Sequence, residues 1–161
     1  MTDFELLKEE MRVCEAHEQR LVMALGHVKQ MRPITPDKIK KLSDEELGYL
    51  EVMSNRFGKL QDTMGKKLFP LVVSLSHADD SAQSFIDILN ALEKAHFLDS
   101  VLEWTDLRVM RNTLAHEYPD NPVWISKTIE ACFLKSASLL ACWRHMRDAI
   151  ERDIFPLYTY E

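Results

Sequence analysis

At 161 residues and 18.8 kDa the chain has the length of one domain, and a hydrophobic fraction of 46% lets it bury a core without disulfide or metal staples. Four glycines and six prolines are too few for a many-turned all-β fold or for a parallel sheet with a glycine-rich phosphate loop. Twenty basic against 26 acidic residues leave a net charge of −6, which excludes nucleic-acid binding by bulk charge and leaves room only for a local basic site.

In chain order, Phe4, Leu7, Met11, Cys14, Glu18, Leu21, Leu25 and Val28 recur at three- and four-residue steps and predict one face of a long helix. It should stop near Arg32-Pro33, because the residue before a proline avoids the helical region. Glu18 interrupts the apolar stripe, so its carboxylate should reach either solvent or an arginine. Pro33 to Asp37 reads as a turn, with a short helical turn from Pro36 to Lys41. Ser43 followed by Glu46 is a capping box that opens a second long helix. Leu50, Met53, Phe57, Leu60, Met64, Leu68, Leu71 and Leu75 form its stripe, and Pro70 inside it predicts a kink. His77 to Ser81 reads as a loop. Phe85, Ile86, Ile88, Leu89 and Leu92 then form a compact third helix ending around His96-Phe97. Ser100 with Glu103 opens a fourth helix that should run to about Glu117. Asn121-Pro122 caps and starts a fifth, which carries Val123, Ile129, Leu134, Leu140, Trp143, Met146 and Ile150 and should end at Pro156. The expectation is an all-α, antiparallel bundle of about five helices, two of them long, in one domain over residues 1–161.

The N-terminus is acidic where a secretory leader is basic. The best apolar run, Leu68 to Leu75, carries a proline and is too short to span a membrane. Cys14, Cys132 and Cys142 form no CxxC pair and read as packing residues in a reducing compartment, so a cytoplasmic location is expected. A di-iron bundle needs two Glu-x-x-His pairs, and only Glu93 with His96 offers one. HExxH, a Cys/His cluster, GxxxxGK[ST] and GxGxxG are all absent from the sequence, so neither a metal nor a cofactor is expected. His17, His27, His77 and His145 stand alone and read as structural.

The fourth helix carries the chemistry. Trp104, Leu107, Arg111 and Leu114 share a stripe, which places a permanent cation among apolar residues. A guanidinium there needs carboxylate or phosphate company. Asn112 and His116 are four residues apart on a neighbouring face, with His116 in the last turn. An arginine, an amide and a titratable imidazole at one helix end suit a phosphodiester: one holds charge and another moves protons near neutral pH. A purely structural reading stands beside it, in which Arg111 pairs with Glu18 or Asp106 and His116 caps the last carbonyls of its helix. Arg111 and His116, five residues apart, point about 140° apart on an ideal helix. Either the last turn loosens, or two chains bring their motifs together.

Arg111-Asn112-x-x-x-His116 resembles the R-N-x-x-x-H signature of HEPN domains, and its extension to Tyr118 resembles the R-x4-H-x-Y pattern of HepT-type toxins. The segment Arg56-Phe57-Gly58-Lys59-Leu60-Gln61-Asp62 also looks like a helix segment of these proteins. The resemblance implies a metal-independent endoribonuclease that acts as a homodimer, with a composite site at the dimer interface. On that analogy His116 is the general acid or base, Arg111 steadies the phosphorane and Asn112 orients the phosphate or the imidazole. RNA would be cleaved by 2′-OH attack to leave a 2′,3′-cyclic phosphate. Arg108, Arg144 and Arg147 would assist substrate binding if they gather with Arg111 around one cleft. HepT-type toxins are neutralised by a partner MNT-type nucleotidyltransferase antitoxin, and the tyrosine matching its AMP acceptor is Tyr118; the alternative for Tyr118 is packing against Pro119. The other functional class is a non-catalytic HEPN module that partners a nucleotidyltransferase or binds a nucleotide.

Overall fold

The computed structural model describes residues 1–79, 81–82, 84–116 and 120–159. Thr2 and Glu5 open α1 (Asp3–Met31) by a reciprocal cap: Thr2 Oγ1 accepts the Glu5 N–H at 3.1 Å and Glu5 Oε2 accepts the Thr2 N–H at 2.8 Å. The helix stops one residue before the cis Arg32–Pro33 bond, and Thr35 caps the single turn α2 (Pro36–Ile39). This corner is tied to the far end of the chain. Glu130 accepts from Arg32 Nε at 2.9 Å and from the Ile34 N–H at 2.8 Å.

Ser43 and Glu46 form the expected box, both bonds at 3.1 Å, and start α3 (Asp44–Thr63). Where Pro70 predicts a kink, the helix widens just before it into a π turn (Met64–Leu68) and resumes as α4 (Phe69–Ser76). The Phe69 N–H reaches back five residues to the Met64 carbonyl, so the ladder is rerouted at the point where the proline ring would disturb it. The widened turn also shifts the phase of the buried face. Phe69, Val72 and Val73 are buried after it, whereas Leu71, expected on the stripe, is only half-buried.

Ser84 and Asp87 cap α5 (Phe85–Lys94). Past it, His96 turns the chain with a left-handed φ of 66°. Ser100 Oγ accepts the Glu103 N–H at the start of α6 (Val101–Ala115), and Glu93 Oε2 takes the Val101 N–H at 2.6 Å. Glu93 is thus a cap for the next helix. No group of three metal-ligating side chains occurs among the described residues. The end of α6 comes at Ala115, two residues short of the expected position. Asn121 Oδ1 accepts the Val123 and Trp124 N–H groups to open α7 (Pro122–Asp153), and Pro156 lies in the last turn, α8 (Phe155–Tyr158).

The helices form an antiparallel bundle, and three runs are long: α1, α7 and the continuous α3–π–α4 segment. Paired side chains fix the directions. Down α1 and up α3 run His27–Tyr49 (stacked at 3.8 Å), His17–Arg56 and Glu10–Lys67. Along the other side, Phe4 of α1 meets Phe155 of α8, Glu18 of α1 meets Arg144 of α7, and Arg32, just past α1, meets Glu130 of α7. Glu18 meets the arginine alternative: its carboxylate accepts from Arg144 Nε at 2.6 Å and from Trp143 Nε1 at 3.2 Å. The first turn of α1 meets α8 where Phe4 stacks on Tyr158 at 5.2 Å. One core joins all of this, with Trp104, Trp143, Phe57 and Phe69 among its largest fully buried side chains. No strand occurs among the described residues, and no helix of the structure is long and apolar enough to cross a membrane.

Candidate functional site

Arg111 projects from α6 toward α3, where Asp62 receives it. Nε donates to Oδ1 and Nη2 to Oδ2, each at 2.7 Å, with the two side chains 28% and 29% exposed. This is the two-pronged guanidinium–carboxylate pair that fixes position as well as charge. The partner is neither Glu18 nor Asp106 but the last residue of the Arg56–Asp62 segment. The Asp62 hydrogen bond raises the Arg111 pKa against a smaller opposing effect of burial, so the cation is permanent. Two bonds to Asp62 leave Nη1 and one Nη2 hydrogen uncommitted among the described residues.

The Arg111–Asp62 pair stands between two hollows. A cavity of about 350 Å³ lies on one side, with Gln61, Gly65 and Lys66 on one wall, Phe85 from α5, and Trp104, Arg108 and Asn112 from α6. A shallower hollow of about 210 Å³ lies on the other, lined by Gly58, Lys59, Leu114 and Ala115. Among the described residues that line the two, Lys59, Lys66, Arg108 and Arg111 stand against one carboxylate, Asp62. The chain is acidic as a whole yet locally basic here, which is the condition an anionic ligand requires.

Asn112 is exposed at the edge of the larger cavity, beside Arg111. His116 is exposed and sits just past the helix end, not in its last turn. It is the C-cap of α6, its N–H goes to the Thr113 carbonyl at 3.3 Å, and its backbone is extended (φ −77°, ψ 140°). His116 keeps a near-helical φ and the backbone leaves the helix only at its ψ, so the Arg111 and His116 side chains still start well apart around the helix axis. His116 follows Ala115, which borders the smaller hollow. Tyr118 lies outside the described residues. Of the other arginines, Arg108 lines the larger cavity with its guanidinium 5.2 Å from the Phe85 ring centroid. Arg144 and Arg147 instead converge on Glu18 of α1, at 2.6 and 3.9 Å. The four arginines thus divide into two pairs held by different elements.

The three cysteines and the histidines His17, His27 and His145 have structural surroundings. Burial pushes the Cys14, Cys132 and Cys142 thiols up to about 12, which leaves them inert as thiolates at neutral pH. His17 contacts Arg56, His27 stacks on Tyr49, and His145 Nε2 lies 2.8 Å from the His96 carbonyl oxygen. Sequence reasoning missed Asp62 as the arginine's partner, and it missed Gln61, Phe85 and Trp104 as cavity walls. A signal existed for the first: an arginine on an apolar stripe demands an acid on the facing helix, and Asp62 flanks the α3 stripe between Leu60 and Met64. Comparison with family models, with curated proteins and with solved structures finds no match to this chain.

Proposed function

We propose that the protein is a metal-independent endoribonuclease of the HEPN type, working as a homodimer in the cytoplasm. The observation that carries the reading is Arg111 itself: a permanent cation, held in register by Asp62, with N–H groups uncommitted among the described residues, beside Asn112 at the larger cavity. A scissile phosphate taken by those N–H groups would gain charge in the transition state where the guanidinium already stands. His116, just beyond the helix end, takes the ribose 2′-OH proton as that oxygen attacks phosphorus. The 5′-oxygen leaves, protonated by the partner protomer's imidazole, and a 2′,3′-cyclic phosphate remains. Asn112 orients the phosphate. The R-x4-H-x-Y resemblance supports neutralisation by an MNT-type nucleotidyltransferase that transfers AMP to Tyr118, where added bulk and negative charge would repel RNA.

The test is cleavage of varied single-stranded RNAs in EDTA by protein whose mass shows no adenylyl group. The expected result is cyclic-phosphate ends from the parent, with His116→Ala and Arg111→Ala each slowed by about 10²–10⁴-fold. A parent as inert as both variants would leave the non-catalytic binding module as the better reading.

A further inference from the structure

The two hollows beside Arg111 are one end of a longer feature. A third hollow, of about 870 Å³, adjoins the smaller of them: both are walled by Ser54 and Asn55 of α3 and by Leu114 of α6. The smaller in turn shares Asp62 and Arg111 with the larger cavity. The three line up as a trough along α3 from Leu47 to Lys66, with α6 on its far side and the start of α7 beside its first end. From Leu47 to Asp62 the trough follows about 22 Å of helix at about 1.5 Å per residue.

Its character changes along that length. At the Leu47 end the wall that solvent reaches is aliphatic: Leu47 is 41% exposed, and Val52, Leu114 and Ile125 are half-buried. The two charged residues there, Glu51 and Arg56, are of opposite sign. At the other end Lys59, Lys66, Arg108 and Arg111 stand against Asp62 among the described residues, and the first three are exposed. An acidic chain that gathers cations beside an uncovered aliphatic wall is complementary to a ligand that is apolar first and anionic after. A nucleic-acid strand matches only the second half. It is anionic along its whole length, and no described residue lining the aliphatic hollow is aromatic, so bases find nothing there to stack on. A protein segment supplies both halves, with aliphatic side chains at one end and carboxylates at the other.

We infer that the trough is the docking site for a segment of a partner protein, in which Leu, Ile or Val side chains fill the hollow at Leu47 and neighbouring Asp or Glu side chains reach Lys59, Lys66 and Arg111. A segment seated in this way covers Arg111. Its control of RNA cleavage rests on the ribonuclease reading; its binding does not.

The experiment is selection of binders to the full chain from a displayed library of random peptides of roughly 16 residues, enough to span the trough as a helix. The enriched sequences should join aliphatic residues to Asp and Glu. The synthetic consensus peptide should bind at least about tenfold more tightly than versions with its aliphatic residues changed to serine or its carboxylates to amides. Leu47→Asp, and Lys59→Glu combined with Lys66→Glu, should each weaken it at least about tenfold. All three positions are exposed, and matching urea melts verify that the variants keep the fold. A 2′-O-methyl oligonucleotide, which cannot be cleaved, should compete with the peptide, and its own binding should fall with the lysine variant and hold in Leu47→Asp. The inference is overturned if no sequence is enriched, if the enriched peptides lack either the aliphatic or the acidic residues, or if they bind the variants as well as the parent. It is also overturned if the oligonucleotide depends on Leu47 as strongly as the peptide does, which would make the whole trough a nucleic-acid channel. Where the parent cleaves RNA, saturating peptide should slow it at least about tenfold, and unslowed cleavage would overturn the placement over Arg111. Peptide binding without any cleavage by the parent would remove the nuclease reading and keep the docking site. Cleavage without a selected peptide would do the reverse.

Discussion

Asp62 shows what a single carboxylate does for a half-buried arginine. It costs Arg111 little of its charge, because the guanidinium stays ionised either way, and it removes most of the side chain's rotational freedom. Asp62→Asn keeps the shape and loses the charge. With both partners more than a quarter exposed, the stability lost should be about 1 kcal/mol or less, whereas cleavage should fall about tenfold as Arg111 loosens. Urea melts and single-turnover rates on one preparation separate the two. The need for an acid near Arg111 is legible from its stripe; the acid's identity is not, because it depends on the register between α3 and α6, which no local pattern carries. His17 makes a second residue-scale case. Burial first, then the Arg56 and Lys59 charges, hold its pKa below the ordinary 6.5. Arg56 Nη1 lies 3.0 Å from Nδ1, and since the guanidinium can only donate, that nitrogen accepts and the ring is neutral. As pH falls the unfolded chain binds this proton first. The contribution is full above 6.5 and is lost as pH drops through the lower folded value. The urea midpoint should therefore decline as pH falls below 6.5, and His17→Gln should flatten part of that decline.

Helix starts were readable wherever the signal is local. Ser43 with Glu46, and Asn121 with Pro122, act within one turn of the chain and cap as their spacing predicts. The response to Pro70 was not readable, because a kink, a break and a widened turn all relieve the same clash. Tertiary packing chose the π turn. It places Gly65 against Trp104, where a Cβ would stand 3.1 Å from the indole Cζ2 and 3.8 Å from Phe85 Cζ. Trp104 is packed against Phe69 on another side, with ring centroids 4.5 Å apart, so it has little room to yield. Gly65→Val should cost about 1–3 kcal/mol through overpacking, seen as a lower urea midpoint with an unchanged slope. Full stability in that variant would mean that the indole moves aside freely.

On the scale of the whole molecule, the apolar surface is unevenly spread. Leu102 and Val109 on α6, and Val123 and Leu134 on α7, are each at least 50% exposed. Between those two helices lies a hollow of about 350 Å³, lined by Val109, Trp124 and Ala131 among others. Exposed apolar residues interleaved with Lys127 and Lys135, on the helices that carry Arg111 and the chain just after His116, suit a second copy of the chain. Sedimentation should give the mass of two chains, and Val109→Glu combined with Leu134→Glu should give one, with cleavage lost in parallel. A parent that sediments as one chain and still cleaves would put the whole reaction within a single protomer. The aromatic contact of Phe4 with Phe155 and Tyr158 has a consequence of another kind. Because the first and last helices finish side by side, the order of elements along the chain is separable from their arrangement in space. A few glycines and serines would bridge the old ends, and a cut between Ser81 and Ala82, away from Arg111 and Asp62 in sequence, would make new ones. Such a circular permutant would begin with α5 and α6, so the helix bearing Arg111 would be synthesised before the α3 helix whose carboxylate holds it.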